Sequence, residues 1–326
     1  MYDLNVIVTV RNSSNTLNKC LSSISAQTYK NFKVIIVDDG STDGSLEICN
    51  AWIKRDHRFV LVKNTTNHHG ASVAKNIGLV NASGMYLTFV DSDDWIEPVH
   101  FDFLLKNMTA GSLCVTGWTR SEQKSICLGG VVKLSRDECF IKALGMGTFG
   151  GYLCNKVFDL NLIRQYDLSL DEEIKISEDL LFVIQYLKHC NGGFVLKKCE
   201  SYHYIVRKGS LTHLVEMSEA QLWSQVNASI KISSLLDDES KRVKQMVKVH
   251  SAKVLNDTYV DAFRINYMNG KCLKDLRRRL IHVFLLYVFS KEFTLHSKIS
   301  ILLTVMTPRL AGHIRRYRMA QNNHLD

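Results

Sequence analysis

Met85-Tyr86-Leu87-Thr88-Phe89-Val90-Asp91-Ser92-Asp93-Asp94-Trp95 runs from an apolar, aromatic stretch straight into three carboxylates within four positions. The first six residues read as a buried strand, being apolar over a strand-like length. Carboxylates packed that closely repel one another, so a positive group belongs beside them. Oxygen ligands suit a hard divalent cation, and Mg²⁺ commonly takes one or two carboxylates and completes its shell with substrate phosphates. Asp171-Glu172-Glu173 is equally acidic but lacks the setting that matters. Asp91 and Asp93 stand at the carboxyl end of a strand, where open α/β sheets bind their ligands.

Outward from this turn the first hundred residues alternate. Leu4–Val10 reads as a strand, and Ser13 or Ser14 is expected to cap a helix whose Leu17, Leu21 and Ile24 share one face. Residues 32–37 read as a second strand ending at Asp38-Asp39-Gly40-Ser41. A helix follows over about 43–54, then a strand over 59–62. A third helix begins near Ala71 and puts Ala74, Ile77 and Gly78 on one face. Such alternation implies an α/β fold with a mostly parallel sheet, right-handed crossovers and flanking helices, a nucleotide-binding architecture. Asp38, Asp39, Asp91 and Asp93 are then expected on one sheet edge, where distant pairs can converge around one ligand. Asp38-Asp39-Gly40-Ser41-Thr42-Asp43 also has the composition of an ordinary turn and helix cap.

Beyond residue 100 the pattern loosens into a helix, a strand over Leu113–Thr119, a turn at Gly129-Gly130 and a helix over about 135–144. After Ser210 the chain reads as mostly helical. The segment 271–318 carries eleven Lys or Arg against only Asp275 and Glu292, interleaved with Leu280-Ile281-His282-Val283-Phe284-Leu285-Leu286-Tyr287. Three readings fit it: a subdomain packed on the rest, an oligomer contact, or an amphipathic surface touching anionic lipid.

A chain of 326 residues that is 46% hydrophobic and 22% charged buries a sizeable core and is not disordered. Its net charge of +9 raises nucleic acid or anionic membrane as partners. No nucleic-acid-binding module is recognisable, so nucleic acid is not expected. The nine cysteines are scattered, odd in number and without a C-x-x-C pair, which reads as reduced thiols in a cytoplasmic protein. Met1 leads through Tyr2 and Asp3 directly into a strand, with no signal segment, and no apolar run reaches the ~20 residues of a membrane span. The expected location is the cytoplasm, or its membrane face.

Several motifs carry a resemblance. Thr9-Val10-Arg11-Asn12, Gln27-Thr28-Tyr29, Val37-Asp38-Asp39-Gly40-Ser41-Thr42-Asp43, the stretch from Gly70 to Leu79, and Asp91-Ser92-Asp93-Asp94 closely resemble, in order and spacing, the family 2 glycosyltransferases. Weaker matches continue through Asn155-Lys156-Val157-Phe158, Ser177-Glu178-Asp179 and Arg207-Lys208-Gly209-Ser210-Leu211-Thr212. The similarity is to bacterial members that build surface polysaccharides or glycosylate surface adhesins. It implies a GT-A (Rossmann-like) fold with a helical C-terminal extension. The catalytic domain would span 1–212, with a donor half about 1–100 and an acceptor half about 101–212, and a helical subdomain would span 213–326.

The implied reaction is transfer of a hexose or N-acetylhexosamine from a UDP-sugar, with inversion, to a hydroxyl of a glycan, lipid-linked or glycoprotein acceptor. By that resemblance Thr9, Val10 and Asp39 lie at the base, with Lys75 nearby. Asp91 and Ser92 are on the nucleoside side, Asp93 holds Mn²⁺ or Mg²⁺, and Asp179 is the catalytic base. Acids after Ser177 also begin an ordinary helix. The Arg207 loop reads either as closing over the diphosphate or as solvated and basic. Three departures bear on donor contacts: His68 where Asn is common, Lys75 for Arg, and Arg11 for an aromatic residue. A nucleotidyltransferase and a catalytically silent partner subunit are the alternative readings.

Other features carry less. Gly145-x-Gly147-x-x-Gly150 follows a helix instead of a strand, the wrong context for a dinucleotide fingerprint. His68-His69 has no partner at zinc spacing and reads as loop. His203, in Tyr202-His203-Tyr204, reads as a strand histidine before a metal or phosphate contact.

Overall fold

Leu4–Val10 (β1) is buried at every position except half-buried Thr9, the pattern of a strand covered on both faces. It lies between β2 (Phe32–Asp38) and β4 (Tyr86–Phe89) and runs parallel to both; β3 (Phe59–Lys63) pairs in parallel with β2. Helices α1 (Leu17–Ser25), α2 (Ser45–Arg55) and α3 (Ala71–Asn81) make the crossovers. Leu17, Leu21 and Ile24 of α1 join Val34, Ile36, Trp52 and Val8 in one core. Gly78 lets α3 approach β1: a Cβ there would lie 2.6 Å from Cγ2 of Ile7. The computed structural model describes residues 3–120, 123, 130–145, 149–206, 218–265, 267, 270–289 and 295–322.

The sheet continues through strands from the second part of the chain. These are β5 (Trp95–Ile96), β6 (Leu113–Thr119), β7 (Val131–Leu134), β8 (Lys156–Asp159) and β9 (Phe194–His203). The order is β3-β2-β1-β4-β8-β6-β9-β5, with β7 on β9. The parallel arrangement spans β3-β2-β1-β4 and recurs between β6 and β9, while β8, β5 and β7 pair antiparallel. Helices α4 (His100–Leu105), α5 (Arg136–Leu144), α6 (Leu160–Gln165) and α7 (Glu178–His189) accompany these strands. Strands β7 and β8 have only four residues each, too short for periodicity to announce. Gly145 is the C-cap of α5, so the glycine pattern there does follow a helix; its Gly147 lies outside the described residues.

Two local expectations change. Helix α1 starts at Leu17, after a turn in which the Leu17 N–H donates to the Ser13 carbonyl, and no side chain caps it. The Ser13 hydroxyl is instead 2.8 Å from that of Ser92, a partner remote in sequence. Among the described residues seven cysteines are free, but Cys199 stands in a disulfide. Spacing along the chain does not say which thiols the sheet brings side by side.

The chain divides into two compact units: Met1–Glu172 with Glu178–Ile205, and Glu173–Ser177 with Val206–Asp326. The second is helical, with α8 (Glu219–Leu235), α9 (Lys241–Arg264), α10 (Gly270–Phe289), α11 (Leu295–Met306) and α12 (Pro308–Asn322). Helix α9 packs on α8, α10 and α12. Ser218 opens α8 with a capping box to Gln221, and Ser240 caps α9. Among the described residues no helix is long and apolar enough to cross a membrane.

Candidate active site

The turn after β4 is held from inside by two of its own residues. Buried Asp94 accepts hydrogen bonds from the Tyr202 hydroxyl at 2.6 Å and the Ile205 N–H at 2.8 Å. The same Tyr202 oxygen accepts from the Asp91 N–H at 3.2 Å. Buried Ser92 is fastened to the start of α1 through Ser13 and through Thr16, whose hydroxyl donates to the Ser92 carbonyl at 3.0 Å. Asp91 and Asp93 are left half-buried. Burial, then the charges of Asp91 and Asp93, push the Asp94 pKa up to about 8, against the opposing hydrogen bonds from Tyr202 and Ile205.

The turn carries concentrated negative charge on hard oxygen ligands, the donor chemistry that suits Mg²⁺ or Mn²⁺. Among the described residues no group of three or more His, Cys, Asp or Glu is placed to hold a metal ion. Asp93 has the donor chemistry for such a cation, but the described residues by themselves assemble no complete site for it. His203 takes no part: it is buried, lies 2.9 Å from Glu97 Oε1 and stacks on Trp95 at 3.5 Å. Its place in β9 is the one expected of a strand histidine.

Asp39 closes β2 as a hub. Its N–H donates to the Val10 carbonyl at 2.8 Å, which ties the ends of β1 and β2 together. Its Oδ1 accepts from Asn64 at 2.7 Å and lies 3.1 Å from Nδ1 of His69; its Oδ2 accepts from the Gly70 N–H at 2.8 Å and faces Arg11 at 3.4 Å. The carboxylate thus fixes the loop that leads into α3. Thr9 is half-buried opposite Val37, whereas the Val10 side chain is wholly in the core, so Val10 acts here through its carbonyl. His68 and His69 do lie in a loop, but His69 and Asn64 are Asp39 partners that their spacing does not reveal.

Lys75, buried on α3, sends its ammonium to the first turn of α7. Nζ donates to Asp179 Oδ1 at 2.6 Å and lies 3.6 Å from Glu178 Oε1. Burial lowers the Lys75 pKa, but Asp179, Glu178 and Asp91 outweigh it, so the amine stays protonated well above its usual range. Burial and the Asp179 charge raise Glu178 to about 7, with Lys75 opposing. Asp179 sits at a helix start, as expected, and its partner is the lysine that the resemblance had placed near the nucleobase. The residue before this helix, Ser177, adopts φ 73°, a left-handed conformation uncommon for a side chain other than glycine.

A second buried lysine supports α7 from behind. Lys156 Nζ donates to the carbonyls of Phe149 and Tyr152 and to Asn155 Oδ1, at 2.6, 2.7 and 2.9 Å. It thereby closes the loop over 149–155 on itself. Within that loop Gly151 touches α7 so closely that a Cβ would lie 2.8 Å from Cα of Leu180, the residue after Asp179. Burial drives the Lys156 pKa down to about 7, with nearby Cys154 and Asp179 opposing.

The fold thus gathers Asp91, Lys75, Glu178 and Asp179 into one electrostatic neighbourhood, fed by β4, α3 and α7. Thr9, Val10 and Asp39 form a second group at the ends of β1 and β2. Arg207 lies outside the described residues. Tyr202, Asn64, His69 and Lys156 are the supporting residues that sequence reading missed as such. The roles of Tyr202, Asn64 and His69 arise from partners dozens of residues away, whereas Lys156 serves the loop just before it.

Residues 5–131 match the family model described as Glycosyl transferase family 2. Glycosyltransferase GlyA of Streptococcus pneumoniae is 50% identical over 105 residues, covering 32% of this chain but only 15% of GlyA. The putative glycosyltransferase EpsH of Bacillus subtilis is 28% identical over 264 residues, 76% of this chain and 75% of EpsH. The crystal structure of S. aureus TarS 1-349 in complex with UDP-GlcNAc aligns with a TM-score of 0.65 at 20% identity, over 99% of this chain and 91% of that one. TarS shares the fold, and the family match spans the strands and turns that carry Thr9, Asp39, Lys75, Asp91 and Asp93. The match to glycosyltransferase family 2 thus covers residues 5–131, and the chain has the GT-A fold.

Proposed function

We propose that this chain moves a hexose or N-acetylhexosamine from a UDP-sugar to a hydroxyl of a glycan, lipid-linked or glycoprotein acceptor, with inversion. The observation that carries the reading is the ion pair between Lys75 and Asp179 within the field of Asp91. It joins a carboxylate at the helix α7 start to the acidic turn after β4, so a base and a donor-binding edge face one centre. The UDP-GlcNAc bound in the TarS structure supports a uridine nucleotide as donor.

In this reaction the acceptor hydroxyl oxygen attacks the anomeric carbon while its proton passes to Asp179. The bond from that carbon to the diphosphate oxygen breaks, and UDP leaves with the electron pair. One displacement inverts the centre without a covalent enzyme intermediate. Lys75 holds Asp179 in place through their ion pair. Asp93 would hold the divalent cation, which supplies Lewis-acid stabilisation of the diphosphate charge, with Asp91 and Ser92 on the nucleoside side. Thr9, the Val10 carbonyl and the Asp39 hub shape the nucleobase end. The donor half is then about 1–100, the acceptor half about 101–212, and 213–326 is a separate helical subdomain.

The test is a screen of UDP-sugars for hydrolysis with Mn²⁺ or Mg²⁺, followed by transfer to candidate acceptors. Asp179→Asn is expected to keep UDP binding in calorimetry while losing roughly 10²–10⁴-fold in turnover. Asp93→Ala is expected to abolish the metal dependence along with activity. Full transfer by either variant rules out the role assigned to it, and pyrophosphate release from a nucleoside triphosphate would make the chain a nucleotidyltransferase.

A further inference from the structure

The excess positive charge of this chain lies in one of its two units. Residues 206–326 hold twenty Lys or Arg against ten Asp or Glu, while 1–205 hold twenty-one against twenty-two. The +9 of the whole is therefore +10 in the helical part and −1 in the rest.

That helical unit also leaves two apolar faces uncovered. In α10, Leu276, Leu280 and Tyr287 are buried, and the opposite face carries Lys274, Arg278, Ile281, Leu285 and Phe289 at helical spacing. Phe289 is 78% exposed and Leu285 64%. In α11, which packs on α10, Ile301 and Thr304 are buried while Leu295, Ile299, Leu302, Leu303 and Met306 share an outward face. Leu295 and Met306 are 75% and 77% exposed, and Lys298 borders that face. Apolar side chains scattered singly are ordinary on a surface, but rows of them along a helix mark a contact.

The charge selects the occupant. A second copy would bring the same +10 against this one. Nucleic acid offers phosphates but nothing to receive Phe289, Leu295 and Met306. An anionic bilayer offers both, since headgroups attract Lys and Arg while the boundary with the acyl chains accepts apolar side chains. We infer that α10 and α11 dock this chain on an anionic phospholipid surface. Their apolar faces lie at the headgroup–acyl boundary, and Lys274 and Arg278 sit at headgroup level. No described helix is long and apolar enough to cross, so the attachment is along the surface.

The test is sedimentation of the full chain with phosphatidylcholine vesicles and with vesicles that also contain phosphatidylglycerol. Binding is expected only to the second kind and is expected to weaken as salt is raised. Lys274→Gln with Arg278→Gln is expected to weaken it about 25-fold, at roughly fivefold per charge. Phe289→Ser with Met306→Ser is expected to weaken it at least about tenfold. All four side chains face outward, so circular dichroism and thermal midpoint should be unchanged. Equal binding to both vesicle types, binding to neither, or indifference to Phe289→Ser with Met306→Ser would overturn the inference. So would a dimer in light scattering that those two substitutions dissolve, because the face would then belong to a second copy.

Discussion

Lys75 shows how one residue can serve two carboxylates. Replacing it with methionine leaves Glu178 and Asp179 side by side without their cation, and breaking such a pair is expected to cost about 2–4 kcal/mol. Thermal unfolding of Lys75→Met measures that loss, which should be partly relieved in Lys75→Met with Glu178→Gln. Glu178 also sets a pH dependence. Its folded value of about 7 lies above its ordinary 4.5, so the folded protein keeps a proton that the unfolded chain has lost between those values. That contribution is complete below 4.5 and is lost as pH rises through about 7. The thermal midpoint is therefore expected to fall across this window by the equivalent of up to about 3 kcal/mol. Glu178→Gln should flatten the fall, and an unchanged slope in that variant would remove Glu178 as its source.

At the scale of elements, α7 is positioned by what presses on its first turn. Gly151 lies against Leu180 with no room for a methyl group, and Lys156 holds the loop that carries it. Gly151→Ala must displace either the loop or the helix start. It is expected to cost about 1–3 kcal/mol. It should also lower turnover by as much as about 10²-fold, because Asp179 moves with Leu180. Gly193→Ala is the control, since a Cβ there meets nothing within 4 Å and should leave both measurements alone. The acidic turn after β4 depends on β9 in the same way. Tyr202→Phe removes the hydroxyl that donates to Asp94 and accepts from the Asp91 N–H, at an expected cost of about 1–3 kcal/mol. Its signature would be weaker metal-dependent UDP binding in calorimetry with the fold retained by circular dichroism.

For the whole molecule, two compact units with separate cores predict that melting is not a single two-state event. Scanning calorimetry is expected to show a calorimetric enthalpy larger than the van't Hoff value. UDP with Mn²⁺ should raise the transition of the sheet unit, because a ligand stabilises the state that binds it. A shift of every transition by the same amount would mean that the units melt as one.

The sequence by itself determined the alternation of β1 to β4 with α1 to α3, and hence the strand ends where Asp39, Asp91 and Asp93 stand. Buried parallel strands are continuous apolar runs and crossover helices show a 3.6-residue period, so both signals are local. It also marked Asp179 at a helix start and the basic character of 271–318. Only the tertiary structure decided that Lys75 meets Asp179, a residue 104 positions away. The same holds for Tyr202 holding the turn at Asp91, for the Asp39 hub, and for the short antiparallel strands that complete the sheet. The tertiary structure also decided which side chains of α10 and α11 remain uncovered. These depend on which surfaces pack together, and packing joins residues by shape and charge without leaving a period or spacing in the chain.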